Sequence, residues 1–137
     1  MATSAMTVFS YMLSFISDTN LKEPYTLARL YGRLLPWQTP GKKLLTGWVI
    51  HYTVGLLFTE LYVAFRKNFS EVKEKKAGLI FGGLAGLAAI LIWKFTLSIH
   101  PLSPAINFCL FSLNLFFGHL IFGLVSSLTI DRKRQPE

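Results

Sequence analysis

Acidic residues are scarce in this chain. Seven Asp and Glu stand against fourteen Lys and Arg, and charges of both signs fill only 15% of its 137 positions, where an ordinary soluble domain carries roughly 25%. Cysteine is scarcer still. Cys109 stands alone, which excludes an internal disulfide and any cysteine-based zinc cluster, and inside an apolar run a lone thiol behaves as a small hydrophobe. The opening MATSAMTVFSYM has no basic segment ahead of its apolar residues and no small-x-small cleavage pattern, and Ala2 rather than Gly follows Met1. A secretory signal and an N-myristoyl anchor are therefore not expected, and this first apolar stretch should remain in the mature protein. There is no nucleophile–base pair, paired carboxylates, phosphate loop or metal-ligand motif, so no catalytic residue and no metal site is expected. The net charge of +7 would suit nucleic acid in a soluble protein. Here the basic residues flank apolar runs, which makes lipid headgroups the expected counter-ions and nucleic acid not a partner.

What the chain has in quantity is apolar sequence, 52% of all residues, gathered into runs. The central one, 77–99, reads AGLIFGGLAGLAAILIWKFTLSI and carries one charge, Lys94. As a helix it reaches about 34 Å, enough for a hydrocarbon core of ~30 Å. Gly78, Gly82 and Gly86 recur at four-residue spacing on one stripe of it, the pattern that lets a second helix approach closely in lipid. Two further runs, 48–65 and 105–130, complete the expected architecture. It is an all-α polytopic membrane protein with three transmembrane helices in residues 47–130, an N-terminal amphipathic, interfacial segment over 1–46 and a basic tail over 131–137.

In the N-terminal segment, Val8, Phe9, Met12, Leu13 and Ile16 recur at helical spacing with Ser10, Ser14 and Ser17 opposite. This fits a helix lying at the interface, or a short fourth span buried against partners, since fifteen residues reach only about 22 Å. Asp18-Thr19-Asn20 breaks the run. Over 26–35 a second amphipathic helix sets Arg29 and Arg33 opposite its leucines, which suits a membrane surface or a docked partner subunit. Trp37 and Trp48 are placed for the interfacial aromatic belt. Eight Lys and Arg in 66–76 and 131–137 face five on the opposite side, so the positive-inside rule puts the C-terminus in the cytoplasm.

Ionisable and amide groups at membrane depth are candidates for function: His51, Glu60, Lys94, Asn114 and His119. By helical rise, His51, Lys94, His100 and Asn107 fall near the outer face and could cluster there. Each also has a plain role. Lys94 can snorkel to headgroups, Glu60 can reach Arg66 or Lys67, and the stripes Ser112/His119/Ser126 and Asn107/Asn114/Gly118 can bond neighbouring helices. His51 and His119 could share a haem or a metal, although their expected depths differ by about 7 Å. His51 and Glu60, nine residues apart, fall on opposite faces of one helix, which argues against a shared catalytic site.

Two short echoes, His51-x-x-x-Gly55 and His119-x-x-x-Gly123, hint at an internal repeat. Together with Tyr52, Phe58, Tyr62, Trp93, His100-Pro101, Gly118 and Phe122, they give residues 48–125 a pattern that resembles the small bacterial inner-membrane proteins of the YagU type. That resemblance implies a multi-pass protein of the bacterial cytoplasmic membrane and carries no activity with it. The leading expectation is a non-enzymatic structural or accessory subunit, or a homo-oligomer, packed through Gly78, Gly82 and Gly86. The alternatives are a transporter or pore lined by His119, Asn114 and Glu60, and a carrier of a histidine-bound cofactor.

Overall fold

The computed structural model describes residues 1–131, so the basic residues of the 131–137 tail beyond Asp131 lie outside the described residues. Among the described residues every regular element is a helix and there is no strand. The elements are α1 (Ala2–Ile16), α2 (Glu23–Leu34), α3 (Pro40–Asn68), α4 (Glu74–Ile99) and α5 (Phe108–Ser126), the last running on through a wider π turn over Ser127–Asp131. Three of them, α3, α4 and α5 with its π turn, are long and apolar enough to cross a membrane, at 29, 26 and 24 residues. They extend to about 43, 39 and 36 Å.

The helix ends follow local chemistry. Proline opens α2 and α3, where its missing N–H costs no hydrogen bond. Asn107 caps α5 by accepting from the Leu110 N–H at 3.1 Å, satisfying one of the donors a helix start leaves free. The chain leaves α1 through Asp18, whose φ of 47° is the left-handed turn that Asp tolerates better than most residues. Ser14 staples that turn, donating to the Thr19 carbonyl at 2.6 Å and accepting from the Leu21 N–H at 3.2 Å.

The most intimate pair is α4 with α5. A Cβ on Gly78 would stand 2.6 Å from the Gly123 carbonyl oxygen, one on Gly82 2.5 Å from that of His119, and one on Gly86 3.1 Å from the Phe116 Cα. The glycine stripe is thus occupied by α5 of the same chain, where sequence reading had turned it outward toward another copy or subunit. The echoed glycines work the same way. Gly123 takes the backbone of Gly78 and Gly82, and Gly55 takes the side chain of Thr3.

Helix α2 lies antiparallel on the start of α3, with Gly47 under Pro24 and Ala28. Leu30 is buried while Arg29 and Arg33 are exposed, and the Arg33 guanidinium donates to the Leu102 carbonyl across the α4–α5 turn. Helix α1 runs antiparallel to both α3 and α5: Thr3 meets Gly55, Thr7 meets His51, Tyr11 faces Trp48, and Met6 covers Gly118. Its buried face is Thr3, Thr7, Ser10 and Ser14, and its exposed face is Val8, Met12, Phe15 and Ile16. The sequence left this helix either at an interface or as a short span buried against partners; in the structure its polar side is pressed into the bundle and its oily side points out.

That inversion holds for the whole surface. Leu56, Leu57 and Leu61 on α3, and Leu84, Leu87, Leu91 and Phe95 on α4, are all more than half exposed. The buried set meanwhile includes Glu23, His51, Asn114, His119 and Asp131. Exposed apolar surface on this scale is foreign to a soluble monomer. At the end of the bundle holding the α3–α4 loop, Tyr62 donates to Asp131 Oδ2 at 2.8 Å, and the Arg66 Nε sits 3.1 Å from the same oxygen. Arg66 also donates to the Phe69 and Val72 carbonyls, so a single guanidinium ties the loop to both helix ends.

Candidate functional site

Helices α3 and α4 touch where the rings of Tyr62 and Phe65 meet Phe81, then diverge toward the other end of the bundle. The wedge between them is a cavity of about 140 Å³ lined by residues from all five helices. Val54 of α3 and Ile92 of α4 stand at its rim, 42% and 57% exposed, so it opens sideways, between two helices, rather than along the bundle axis. Below it, Phe58 and Phe122 pack edge to face at 6.4 Å above the Tyr62–Phe81 layer. Trp93 walls the α4 side, held edge-on to Phe111 at 5.0 Å.

Polar groups converge on this apolar space from four helices. Thr7 gives its hydroxyl hydrogen to the Thr3 carbonyl at 2.7 Å, so its oxygen can only accept from His51 Nε2, 2.9 Å away. The network therefore assigns His51 the Nε2–H tautomer and leaves a lone pair on Nδ1. His119 Nδ1 lies 2.7 Å from the Leu115 carbonyl, which cannot donate, so that nitrogen carries the hydrogen and Nε2 carries the lone pair. The third group is Glu23, at the first turn of α2. Its Oε1 accepts from Ser10 at 3.0 Å and from Asn114 Nδ2 at 2.9 Å, while Oε2 is buried without a partner. Asn114 Nδ2 also donates to the Leu21 carbonyl at 3.1 Å, fixing the carboxyl against α5. Burial raises the Glu23 pKa from 4.5 to about 7, against the pull of its own backbone, Ser10 and Asn114.

Of the polar residues singled out in the sequence, His51 and His119 both line this cavity despite their expected difference in depth. Asn114 is fully buried behind it. Glu60 is not part of it. It is exposed on the far side of α3 among Leu56, Leu57 and Leu61, and Arg66 pairs with Asp131 instead. Lys94 is exposed on α4. The outer cluster of His51, Lys94, His100 and Asn107 does not assemble, since His100 Nε2 sits 3.2 Å from the Leu30 carbonyl and Asn107 is a cap. Trp37 is 75% exposed, and Trp48 is half-buried, stacked on Tyr52 at 5.9 Å.

Three contributors escaped sequence reading: Glu23, Thr7 and Ser10. Their signal was present in the 4-3-4 spacing of Thr3, Thr7, Ser10 and Ser14, a polar stripe whose inward direction only becomes natural if the outside is apolar. As a cofactor site the cavity fits poorly. At about 140 Å³ it falls well below the ~300–1,000 Å³ of drug-sized ligand pockets, and a porphyrin does not fit between the two imidazoles. No group of three or more His, Cys, Asp or Glu poised for a metal occurs among the described residues. Comparison with protein-family models, curated proteins and solved structures returns no match.

Proposed function

We propose that this chain is an integral membrane protein that takes a small molecule from the lipid phase into the cavity between α3 and α4. In this reading α3, α4 and α5 cross the bilayer, with α1 embedded beside them, its apolar face toward lipid. Helix α2 lies at the headgroups, where Arg29 and Arg33 find phosphate. The basic α3–α4 loop and the chain's end lie in the cytoplasm of a bacterium, as the charge bias and the likeness to YagU-type proteins suggest. One observation carries the function: two imidazole lone pairs and an unpartnered carboxyl oxygen border an apolar cavity whose mouth, between Val54 and Ile92, faces sideways. A mostly apolar pocket with a few convergent polar groups is the usual form of a small-ligand site. A pore is less well supported, because Phe58, Phe122, Tyr62 and Phe81 stop the space on the side of the α3–α4 loop.

The test uses Trp93 as a reporter. In nanodiscs, a bromophenyl probe with a decyl chain should quench its fluorescence saturably in the wild type. In Ala89→Phe, which fills the cavity from α4, quenching should fall to the linear response of partition into lipid. Equal, non-saturating quenching in both would refute the site.

A second reading rests on Glu60. A carboxyl group on the apolar outer face of α3 is costly in lipid, and a helix of another subunit would relieve that cost. An accessory-subunit role thus draws support from Glu60, while the glycine stripe, already covered by α5, lends it none. Co-purification from mild detergent, lost in Glu60→Leu and kept in Ala89→Phe, would separate this role from ligand binding.

A further inference from the structure

Three cations gather beside α2 with no anion to receive them. Arg29 and Arg33 stand one helical turn apart on α2, a spacing at which like charges repel, and Lys43 joins them from the first turn of α3. They edge an open groove of about 430 Å³ whose lining also includes Ala28, Gly32 and Leu44, with no carboxylate among the described residues that line it. Only two acidic residues precede Glu60, Asp18 and Glu23, and neither serves the groove. Glu23 is buried with its Oε1 on Ser10 and Asn114, and Asp18 lies in the turn ahead of α2, at the opposite end from Arg33. Two of the cations are held in place. The Lys43 stem crosses Gly32, where a Cβ would stand 2.6 Å from its Cδ, and its ammonium donates to the Pro36 carbonyl at 3.3 Å. Arg33 donates from one nitrogen to the Leu102 carbonyl, which leaves the rest of its guanidinium open. Arg29 has neither hydrogen bond nor ion pair among the described residues. A phosphate diester suits such a set, because its two free oxygens match an arginine fork and its charge relieves the repulsion.

The surface next to the groove suits a phosphate that brings an apolar tail. From Leu45, the neighbour of groove-lining Leu44, an exposed stripe continues along α3 through Val49, Tyr52 and Leu56. Spacings of four, three and four residues put them on one helix face. Tyr52 and Leu56 then line a second cavity, of about 330 Å³, together with Ile130. From Leu44 to Leu56 the helix advances about 18 Å, a little more than the ~15 Å of half a hydrocarbon core. Trp37, 75% exposed just past α2, suits the headgroup level at which the cations would lie. Resting on the reading that places α2 at the headgroups and α3 across the bilayer, and independent of the cavity between α3 and α4, we propose that this surface holds one anionic phospholipid. Its phosphate sits among Arg29, Arg33 and Lys43, and an acyl chain follows Leu45, Val49, Tyr52 and Leu56 to the second cavity. The selectivity that follows is for a headgroup with no cation of its own, phosphatidylglycerol over phosphatidylcholine. A choline would add a positive charge to a groove whose described lining has three and no carboxylate.

The experiment titrates the full-length protein in mild detergent with dioleoyl phosphatidylglycerol or dioleoyl phosphatidylcholine and counts bound lipids by native mass spectrometry. One phosphatidylglycerol per chain should be retained at about one-tenth of the concentration that phosphatidylcholine needs. Arg29→Gln/Arg33→Gln should bring the two lipids level. Lys75→Gln/Lys76→Gln, which removes the same charge at the start of α4, should keep the preference. If the first double variant fails to fold, Arg29→Gln alone, which breaks no hydrogen bond among the described residues, should weaken phosphatidylglycerol binding about fivefold. Equal retention of the two lipids by the wild type would overturn the site and leave the cavity between α3 and α4 untouched. The same loss of preference in both double variants would mean diffuse charge rather than a groove and would overturn it as well. Displacement of the bound lipid by an equal concentration of glycerol 3-phosphate would make a free phosphate the ligand and overturn the lipid. Retention of neither lipid would overturn this site together with the placement of α2 at the headgroups.

Discussion

Gly82 and Gly83 are neighbours on α4, and the structure gives them opposite fates on substitution by alanine. Removing a glycine from a helix interior is worth up to ~1 kcal/mol from helix propensity. At Gly83 nothing opposes that gain, since a new Cβ would find Leu120 Cδ2 at 3.9 Å, an ordinary contact. At Gly82 the same Cβ would lie 2.5 Å from the His119 carbonyl oxygen and 2.9 Å from the Leu120 Cα. Those are backbone atoms of α5 and cannot rotate aside, so the two helices must part. Overpacking of this kind costs about 1–3 kcal/mol, and in lipid, where close van der Waals packing holds helices together, it is not recovered elsewhere. Gly83→Ala should therefore raise the midpoint of unfolding in a mixed-micelle SDS titration followed by circular dichroism, and Gly82→Ala should lower it by about 1–2 kcal/mol. Gly82→Leu should lower it further. Because the stripe is covered by α5, light scattering should find the oligomeric state unchanged in all three. A Gly82→Ala protein that unfolds like wild type but changes its association would return the stripe to a role between chains and refute the packing described here.

The other predictions probe separate parts of the molecule. Asp131→Ala takes from the buried Arg66 guanidinium the carboxylate that pairs with it, and should cost about 3–5 kcal/mol. The double change Arg66→Met/Asp131→Leu should recover most of that, whereas Tyr62→Phe should cost only about 1 kcal/mol. Equal losses for Asp131→Ala and Tyr62→Phe would contradict the pairing. Glu23 sets a pH dependence. Its folded pKa of about 7 lies above the ordinary 4.5, so the folded state holds a proton that the unfolded chain has released, and stability should fall as pH rises from about 4.5 and level off above about 7. Glu23→Gln should flatten that slope, and an unchanged slope would mean that the carboxyl is not buried as described. For orientation, in a Cys109→Ser background an impermeant maleimide applied to intact cells should label Ser103→Cys and spare Glu71→Cys. The reverse pattern would invert the topology.

The number of long helices was legible because it depends only on run length, and the runs are interrupted where charge and proline collect, at 66–76 and 100–104. The pairing of those helices was not. A glycine stripe states that something comes close without stating what, and Gly78, Gly82 and Gly86 read the same whether α5 or another chain fills the groove. Only Gly123, one turn beyond His119, hinted that the matching hollow lies on α5.

Facing was the harder matter. A helix with serines on one side and Val8, Met12 and Phe15 on the other is symmetric as a pattern, and assigning its inside requires knowing which solvent surrounds it. Treating α1 as a helix at a water boundary turned Ser10 and Ser14 outward, and with them went the reason to ask what Glu23 does at the end of the following turn. Once the apolar face is outermost, Thr7 must meet something polar, and His51 on the antiparallel helix is the group whose depth matches. The same logic sorts the ionisable residues. His51, His119 and Glu23 belong to one chamber because each has neighbours within the chain that fix its hydrogens. Glu60 and Lys94, whose flanks are exposed leucines, isoleucine and phenylalanine, are groups for which the described residues supply no such surroundings. The internal chemistry of such a bundle is therefore to be sought first among the hydroxyls of an amphipathic helix like α1, because there the surrounding medium, not the local sequence, decides which way a side chain faces.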